Sequence, residues 1–250
     1  MHREFIRNLE AANPDFSGIH FISLNYDTLL DSALSHLHPR LVLDYGLDFS
    51  NYYVTSEKGL KWERAWPGEG RDLIKVHGSL NFRFCPLCQS VQLIAFSGET
   101  TPGGAETGGA ESGAGLPVRG LREDHGRCPR DGTLTEMLIA PPTLFKEFTN
   151  PAILELWRRA RTLLLEARRI VVVGYSLPIA DLHMWQMLKN AVIGGKLERM
   201  VVVGSSDDGS GEEAAVPYRQ LTRDVDFLPI GFEELARDPS RLLDESFRDA

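Results

Sequence analysis

Two short apolar segments constrain the fold of this chain more than any other feature. Arg169–Gly174 (RIVVVG) and Arg199–Gly204 (RMVVVG) are continuous, valine-rich runs, and a helical pattern over Ala180–Val192 lies between them. Strands that are apolar on both faces and alternate with helices are typical of a parallel sheet covered on two sides. The sequence therefore predicts an α/β protein with a Rossmann-like parallel sheet and helices on both faces.

The same alternation extends toward the N-terminus. Residues 3–12 predict an amphipathic helix, and residues 19–24 and 72–78 predict strands. A helix follows the first of these strands, and Thr28 and Asp31 have the spacing of a capping box at its start. Residues 39–70 are aromatic and irregular, so they predict no element.

A longer helix is predicted in the second half of the chain. Asn150 and Pro151 have the character of a helix start, and the helix is expected to end near Arg168. Apolar residues recur within it at the spacing of one helix face. Residues 134–142 (LTEMLIAPP), just before it, predict a further strand.

Charge and composition exclude several classes of protein. The chain has 35 acidic and 27 basic side chains, a formal net charge of −8, so it lacks the basic face that binds nucleic acid. Its longest apolar runs, such as Ile170–Val173, fall far short of the roughly 18 residues that span a bilayer. The polar first residues lack the apolar core of a secretory signal. We therefore expect a cytoplasmic protein without a nucleic-acid or membrane partner, and a homo-oligomer or a partner domain remains open.

A compositional shift marks an insert. Residues 97–115 hold seven glycines in 19 residues and no large apolar side chain, so they predict a disordered loop. The loop lies between Cys85-x2-Cys88 and Cys128. The domain prediction is accordingly a Rossmann-like domain made of residues 1–80 and 134–250, with residues 81–133 forming a zinc-ribbon-like insert.

The three cysteines suggest a metal site or catalysis rather than disulfides, because the chain is expected to be cytoplasmic. Cys85-x2-Cys88 is half of a zinc knuckle, and Cys128 begins the second half. Zinc in structural sites takes four tetrahedral ligands. Asp131 stands where the fourth cysteine is expected, and either Asp131 or His125 could be the fourth ligand. The other interpretation is a decayed site that binds nothing.

Polar or glycine residues follow four of the predicted strands, and ligands of open parallel sheets bind at the carboxyl ends of the strands. Each group also has a plain structural explanation, such as helix capping or chain reversal, but together they predict one binding rim. The four groups are Ser23–Asp27, Val76–Ser79, Gly174–Leu177 and Gly204–Asp207.

The segments SLNYDTLLD, KVHGSL, VVVGYSLPIADLH and VVVGSSD resemble the sirtuin-type NAD-binding fold, specifically the bacterial SIR2-like branch known for NAD hydrolysis in phage defence. The resemblance covers roughly residues 19 to 235. It implies that NAD is bound as a substrate and that the insert holds structural Zn²⁺.

The resemblance also implies roles for individual residues. Asn25 and Asp27 match the family's Asn-x-Asp motif at the nicotinamide end, and His77 matches the catalytic histidine of the His-Gly motif. The family's phosphate and ribose turn and its adenosine-side strand end correspond to the following residues: Gly174, Tyr175, Ser176, Leu177, Gly204 and Ser205.

Two departures from the family pattern qualify the expected activity. Only 24 residues precede Asn25, and they contain no Gly-x-Gly-x-Ser loop to cradle a pyrophosphate. Leu138–Phe148 (LIAPPTLFKEF) stands where deacylating sirtuins carry Phe-Gly-Glu. The first hypothesis is therefore an NAD hydrolase. The second is a catalytically silent or regulatory module that keeps the sheet, and the third is a protein lysine deacylase.

Overall fold

The computed structural model describes residues 1–13, 16–38, 41–55, 62–68, 70–94, 126–140, 150–204 and 211–242. The helices are α1 His2–Ala12, α2 Leu29–Leu37, α3 Pro151–Glu166, α4 Leu182–Gly194, α5 Val216–Arg219 and α6 Phe232–Arg237. The strands are β1 Phe21–Ser23, β2 Leu43–Asp44, β3 Tyr53–Thr55, β4 Trp62–Arg64, β5 Arg71–Lys75, β6 Gly78–Phe84, β7 Val91–Leu93, β8 Glu136–Ile139, β9 Arg169–Val173, β10 Arg199–Val203 and β11 Val225–Leu228. They divide between two compact units.

The unit that contains β1 to β8 is built on a parallel sheet in the order β1-β5-β2. Ser23 is opposite Lys75 in the register of β1 and β5. The chain leaves β5 through a two-residue turn, Val76-His77, and enters β6. Strand β6 pairs with β7 and β8, antiparallel to both. His77 therefore lies where a parallel sheet gives way to an antiparallel one.

Gly78 is fixed by close packing between β6 and β8. Its φ is +80°, in the left-handed region that favours glycine. A Cβ atom built here would lie 1.9 Å from the carbonyl oxygen of Leu138. Any side chain at this position would therefore force β8 away from β6.

Aromatic side chains form the core of this unit, in the segment for which the sequence predicted no element. The ring centroids of Tyr45 and Phe82 are 5.2 Å apart in edge-to-face contact, and those of Tyr45 and Phe49 are 5.7 Å apart. All three side chains are buried. Such pairs add stabilisation beyond the area they bury. Residues 39–70, for which the sequence predicted no element, contain the short strands β2, β3 and β4. Ring packing holds Tyr45 and Phe49 of this segment in the core.

The other unit contains a second parallel sheet in the order β11-β10-β9. Every residue of the central strand β10 is buried. Within the described part of the chain, β9 is an edge strand, and Val171 and Val173 are each 36% exposed. The expectation that both valine-rich strands are covered on two faces therefore holds for β10 and fails for β9. In the same unit α1 packs on α6, with the rings of Phe5 and Phe232 5.4 Å apart.

The predicted α/β class with parallel strands is confirmed. The predicted long helix corresponds to α3, and the Oδ1 of Asn150 accepts the backbone N–H of Ala152 at 2.9 Å. The predicted capping box at α2 is wrong. Asp27 supplies the acceptor, to the N–H of Leu29, and Asp31 points into the core.

Two other sequence predictions concern the insert and its surroundings. The strand within residues 134–142 is observed as β8, which pairs with β6 of the antiparallel sheet. The Gly-rich loop 97–115 lies outside the described residues. Within the described ranges, none of the helices combines the length and the apolar character that crossing a membrane requires.

Candidate functional site

The loop after β1 carries Asn25 and Asp27. The hydroxyl of Ser23 accepts the N–H of Asn25 at 3.1 Å, which turns the chain as the strand ends. The side chain of Asn25 is exposed, whereas Asp27 is half-buried. The Oδ1 of Asp27 accepts the N–H of Leu29 at 3.0 Å. Asp27 thus has a definite structural role as the acceptor at the start of α2, and Asn25 is presented to solvent.

His77 follows the neighbouring strand and is buried, with only 3% of its surface exposed. Its carbonyl oxygen accepts the N–H of Ala140 at 2.9 Å, which ties the turn to the end of β8. The ring of Tyr26 lies beside it, with centroids 6.2 Å apart and the ring planes tilted by 58°. Because β1 and β5 are paired and parallel, Asn25, Asp27 and His77 share one carboxyl edge, called here the histidine edge.

A buried ion pair that the sequence analysis missed lies directly beneath the histidine edge. The Nζ of Lys75, 1% exposed, is 3.1 Å from the Oδ2 of Asp31 and also donates to the carbonyl oxygen of Asp27. The hydroxyl of Tyr45 donates to the other oxygen of Asp31 at 2.8 Å. Burial and the carboxylate of Asp31 raise the pKa of Tyr45 well above its ordinary value. Lys75 therefore joins β5 to the loop that carries Asp27.

The second group of sequence-predicted residues lies in the other unit, at the carboxyl ends of β9 and β10, and is called here the glycine edge. Gly174 has a φ of +67° with open space around its Cβ position, so backbone conformation rather than packing favours glycine there. Leu177 also has a positive φ, +47°, and its side chain is buried. Ser176 is exposed between them. The two positive φ angles set the backbone of this turn, and the hydroxyl of Ser176 is exposed on it.

Tyr175 is held by two contacts. Its hydroxyl donates to the Oδ2 of Asp181 at 2.7 Å, and its carbonyl oxygen accepts the hydroxyl of Tyr218 at 2.6 Å. Burial and the hydrogen bond to Asp181 raise the pKa of Tyr175 well above its ordinary value. The phenol thus stays neutral and serves to fix the turn.

Gly204 follows β10, and its N–H donates to the carbonyl oxygen of Leu228 at 3.2 Å. Since Val173 and Val203 are opposite one another in the parallel register, the turn after β9 and Gly204 lie at the same edge of the sheet. Ser205, predicted from the sequence to accompany Gly204, lies outside the described residues.

Four side chains in the insert bring potential metal ligands together and are called here the metal cluster: Cys85, Cys88, Cys128 and Asp131. One ligand atom from each lies within 4.8 Å of all the others. The Sγ atoms of Cys88 and Cys128 are 3.5 Å apart, and the Sγ of Cys85 is 3.4 Å from the Oδ2 of Asp131. Tetrahedral bonds to zinc would separate two sulfurs by roughly 3.8 Å and a sulfur from an oxygen by roughly 3.5 Å. The residues present thus fit a bound metal ion. His125 lies outside the described residues.

Hydrogen bonds lower the pKa of two residues in the metal cluster. Burial acts to raise the pKa of Cys128, but hydrogen bonds from the Arg130 amide and the Ser90 hydroxyl outweigh it, and the pKa is lowered. Backbone and side-chain hydrogen bonds from Thr133 lower the pKa of Asp131 to about 2. The carboxylate is therefore ionised at neutral pH, as a metal ligand must be.

No protein-family model matches the chain, and no curated protein matches it. Among solved structures, a complex of a Sir2 homologue with NAD is similar at 17% identity and a TM-score of 0.45, over 98% of this chain. A mutant Sir2 homologue with 2′-O-acetyl ADP-ribose gives 16% identity and a TM-score of 0.45, over 99% of this chain and 67% of that protein. The chain spans about 64% of the length of the first of these proteins. At such values the likeness adds nothing to the fold class, which the strand pairings establish.

Proposed function

We propose that this chain binds NAD and hydrolyses it to nicotinamide and ADP-ribose. The observation that carries the proposal is the histidine edge, where the Asn25 loop and His77 follow two hydrogen-bonded parallel strands. Open α/β sheets bind their ligands at the carboxyl ends of the parallel strands, and this is where these residues lie. The resemblance of the Asn-x-Asp and His-Gly segments to SIR2-like proteins gives the substrate class.

The proposed reaction breaks the bond between nicotinamide and C1′ of its ribose. The bonding electrons leave with the nicotinamide nitrogen, which becomes neutral, and a water oxygen bonds to C1′. The imidazole of His77 accepts the proton that water loses, since histidine titrates near neutral pH. The exposed amide of Asn25 hydrogen-bonds the substrate and orients the reacting groups.

The glycine edge is proposed to bind ribose and phosphate groups, as the resemblance to SIR2-like proteins implies. The hydroxyl of Ser176 is exposed, so it can donate to an oxygen of such a group. Tyr175 and Leu177 contribute backbone groups, because the Tyr175 hydroxyl is bonded to Asp181 and the Leu177 side chain is buried. Gly204 and Ser205 are proposed to lie on the adenosine side.

Hydrolysis of NAD would deplete a metabolite that every cell needs, and this is the physical basis for proposing a role in anti-phage defence. The substrate pool implies a cytoplasmic location. We also propose that the metal cluster holds a structural zinc ion, with Cys85, Cys88 and Cys128 as ligands. When bound, zinc would cross-link the two halves of the insert.

The second candidate function is a catalytically silent NAD-fold module. The burial of His77 favours it, because an imidazole that is 3% exposed must be uncovered before it can accept a proton from water. A regulatory module would keep the sheet and the capping role of Asp27 without any chemistry at His77.

The test is nicotinamide release from NAD, measured by chromatography. His77→Ala should lower the rate by about a hundred- to ten-thousand-fold, which is the usual effect of losing a general base. His36→Ala is the matched control, because His36 is an exposed histidine on α2, and its rate should not change. Circular dichroism of each variant verifies that the fold is retained.

Asp27→Asn separates two roles of Asp27. The amide keeps an oxygen that can accept the N–H of Leu29, so stability should be retained. A loss of activity at unchanged stability would assign the carboxylate to the substrate. Full activity of a folded His77→Ala protein would refute the catalytic assignment, and a wild-type protein that releases no nicotinamide would favour the silent module.

A further inference from the structure

The two halves of the metal cluster share the same pattern of backbone hydrogen bonds. In the first half, the N–H of Gln89 donates to the carbonyl oxygen of Cys85 at 2.9 Å, and the N–H of Cys85 donates to that of Ser90 at 3.0 Å. Gln89 has a φ of +58°. These two bonds close a compact loop in which the residue four positions after the cysteine adopts the left-handed conformation.

The second half repeats these bonds at the same offsets. The N–H of Gly132 donates to the carbonyl oxygen of Cys128 at 2.8 Å, and the N–H of Cys128 donates to that of Thr133 at 2.7 Å. Gly132 has a φ of +74°. Cys128, Gly132 and Thr133 are therefore the counterparts of Cys85, Gln89 and Ser90.

This internal correspondence gives Asp131 a definite counterpart. Asp131 lies three residues after Cys128, as Cys88 lies three residues after Cys85, so Asp131 takes the place of a second knuckle cysteine. We propose that Asp131 is the fourth ligand, which makes the site one of three sulfurs and one oxygen. The inference rests on the proposed metal and not on NAD chemistry.

The orientation of the carboxylate supports one ligand atom. The Oδ1 of Asp131 accepts the N–H of Thr133 at 2.9 Å, which holds the side chain in place. The Oδ2 lies nearer to the Sγ of Cys85, at 3.4 Å against 3.7 Å for Oδ1. Oδ2 is thus the atom assigned to the metal, and Thr133 supports the ligand from behind, as outer-shell groups do in metal sites.

An oxygen ligand changes which metal ions the site prefers and how readily it releases them. Thiolates favour zinc and other soft or borderline ions, and a carboxylate is a harder ligand. Asp131 is also exposed, whereas Cys85 and Cys128 are buried, so the oxygen lies on the side open to water. The site should therefore release its ion more readily than a four-thiolate site, through the Asp131 side.

The experiment uses the full chain loaded with Co²⁺, whose absorption spectrum reports the number of thiolate ligands. Wild-type protein should give the spectrum of three thiolates. Asp131→Cys should add thiolate charge-transfer intensity, move the visible bands to longer wavelength, and bind Zn²⁺ more tightly in competition with a chelator. Asp131→Ala should weaken Zn²⁺ binding by about tenfold or more, since losing even an outer-shell group costs about that much.

His125→Ala is the control, because His125 is the other candidate ligand near Cys128 in the sequence. Its Co²⁺ spectrum and Zn²⁺ affinity should match the wild type. A changed spectrum in His125→Ala with an unchanged one in Asp131→Cys would overturn the ligand assignment alone. A wild-type protein that binds neither ion would overturn the metal itself, and neither result depends on whether NAD is cleaved. Asp131→Cys keeps four ligands, so it decides the question even if Asp131→Ala unfolds the insert.

Discussion

Lys75 has an unusual environment for a lysine, because its ammonium group is buried and faced by a buried carboxylate. Removing one partner of such a pair leaves an uncompensated charge in the core. Lys75→Met and Asp31→Asn should each lower the free energy of unfolding by about 3–5 kcal/mol, measured by urea titration.

A matched control tests whether burial is the cause. Lys196 and Glu166 form an exposed ion pair, so Lys196→Met should cost less than about 1 kcal/mol. A double substitution of Lys75 and Asp31 by apolar residues should cost less than the sum of the single changes, since no charge is left alone. Equal effects at Lys75 and Lys196 would contradict this account.

The sequence allowed the prediction that Asn25, Asp27 and His77 lie at one edge of the sheet, because residues that follow paired parallel strands share an edge. It could not locate the pair of Lys75 and Asp31. The two residues are 44 positions apart, and their contact depends on how α2 packs against β5. Periodicity within one element carries no information about such a contact.

At the scale of the element, the start of α3 offers a direct test of capping. The Oδ1 of Asn150 accepts the N–H of Ala152 at 2.9 Å and that of Ile153 at 3.4 Å. Asn150→Ala should therefore lower the free energy of unfolding by about 1 kcal/mol. Thr28→Ala is the comparison, because Thr28 is the residue before α2 and, among the described residues, its side chain makes no capping bond. A loss at Thr28 as large as at Asn150 would show that the effect is not capping.

The elements that were predicted well are those with strong local signals. Helix α3 and strands β9 and β10 combine continuous apolar patterns with clear ends. Strands β6 and β7 of the antiparallel sheet were not predicted. The strand that corresponds to β8 was predicted, but its pairing with β6 was not. Their pairing depends on Gly78 and on the turns around the cysteines, which are tertiary features.

For the whole molecule, the sequence predicts that the Gly-rich loop is dispensable. Between Ile94 and Gly126 the chain has 31 residues, and removing residues 97–115 leaves 12. The closure cost of a flexible loop changes by only about 0.6 kcal/mol for each twofold change in length. The deletion should therefore leave the melting temperature nearly unchanged, as measured by circular dichroism.

Limited proteolysis of the wild-type chain gives a second measurement, because the first cut should fall within residues 97–115. Deleting the described strand β7 is the control and should abolish the cooperative transition, since its side chains are buried. If the loop deletion unfolds the protein as the β7 deletion does, the prediction for this segment is wrong.

The close approach of Gly78 to β8 has a consequence for how such a chain would drift under natural selection. The two residues of the His-Gly dipeptide are expected to be under different selective constraints. Gly78 is required by the fold, because a Cβ would meet the carbonyl oxygen of Leu138. Under the proposed function, His77 is kept only for as long as NAD hydrolysis is useful. In a lineage that lost catalysis, His77 would therefore be replaced long before Gly78. Catalytically inactive descendants would be recognised by a substitution at position 77 with Gly78 retained.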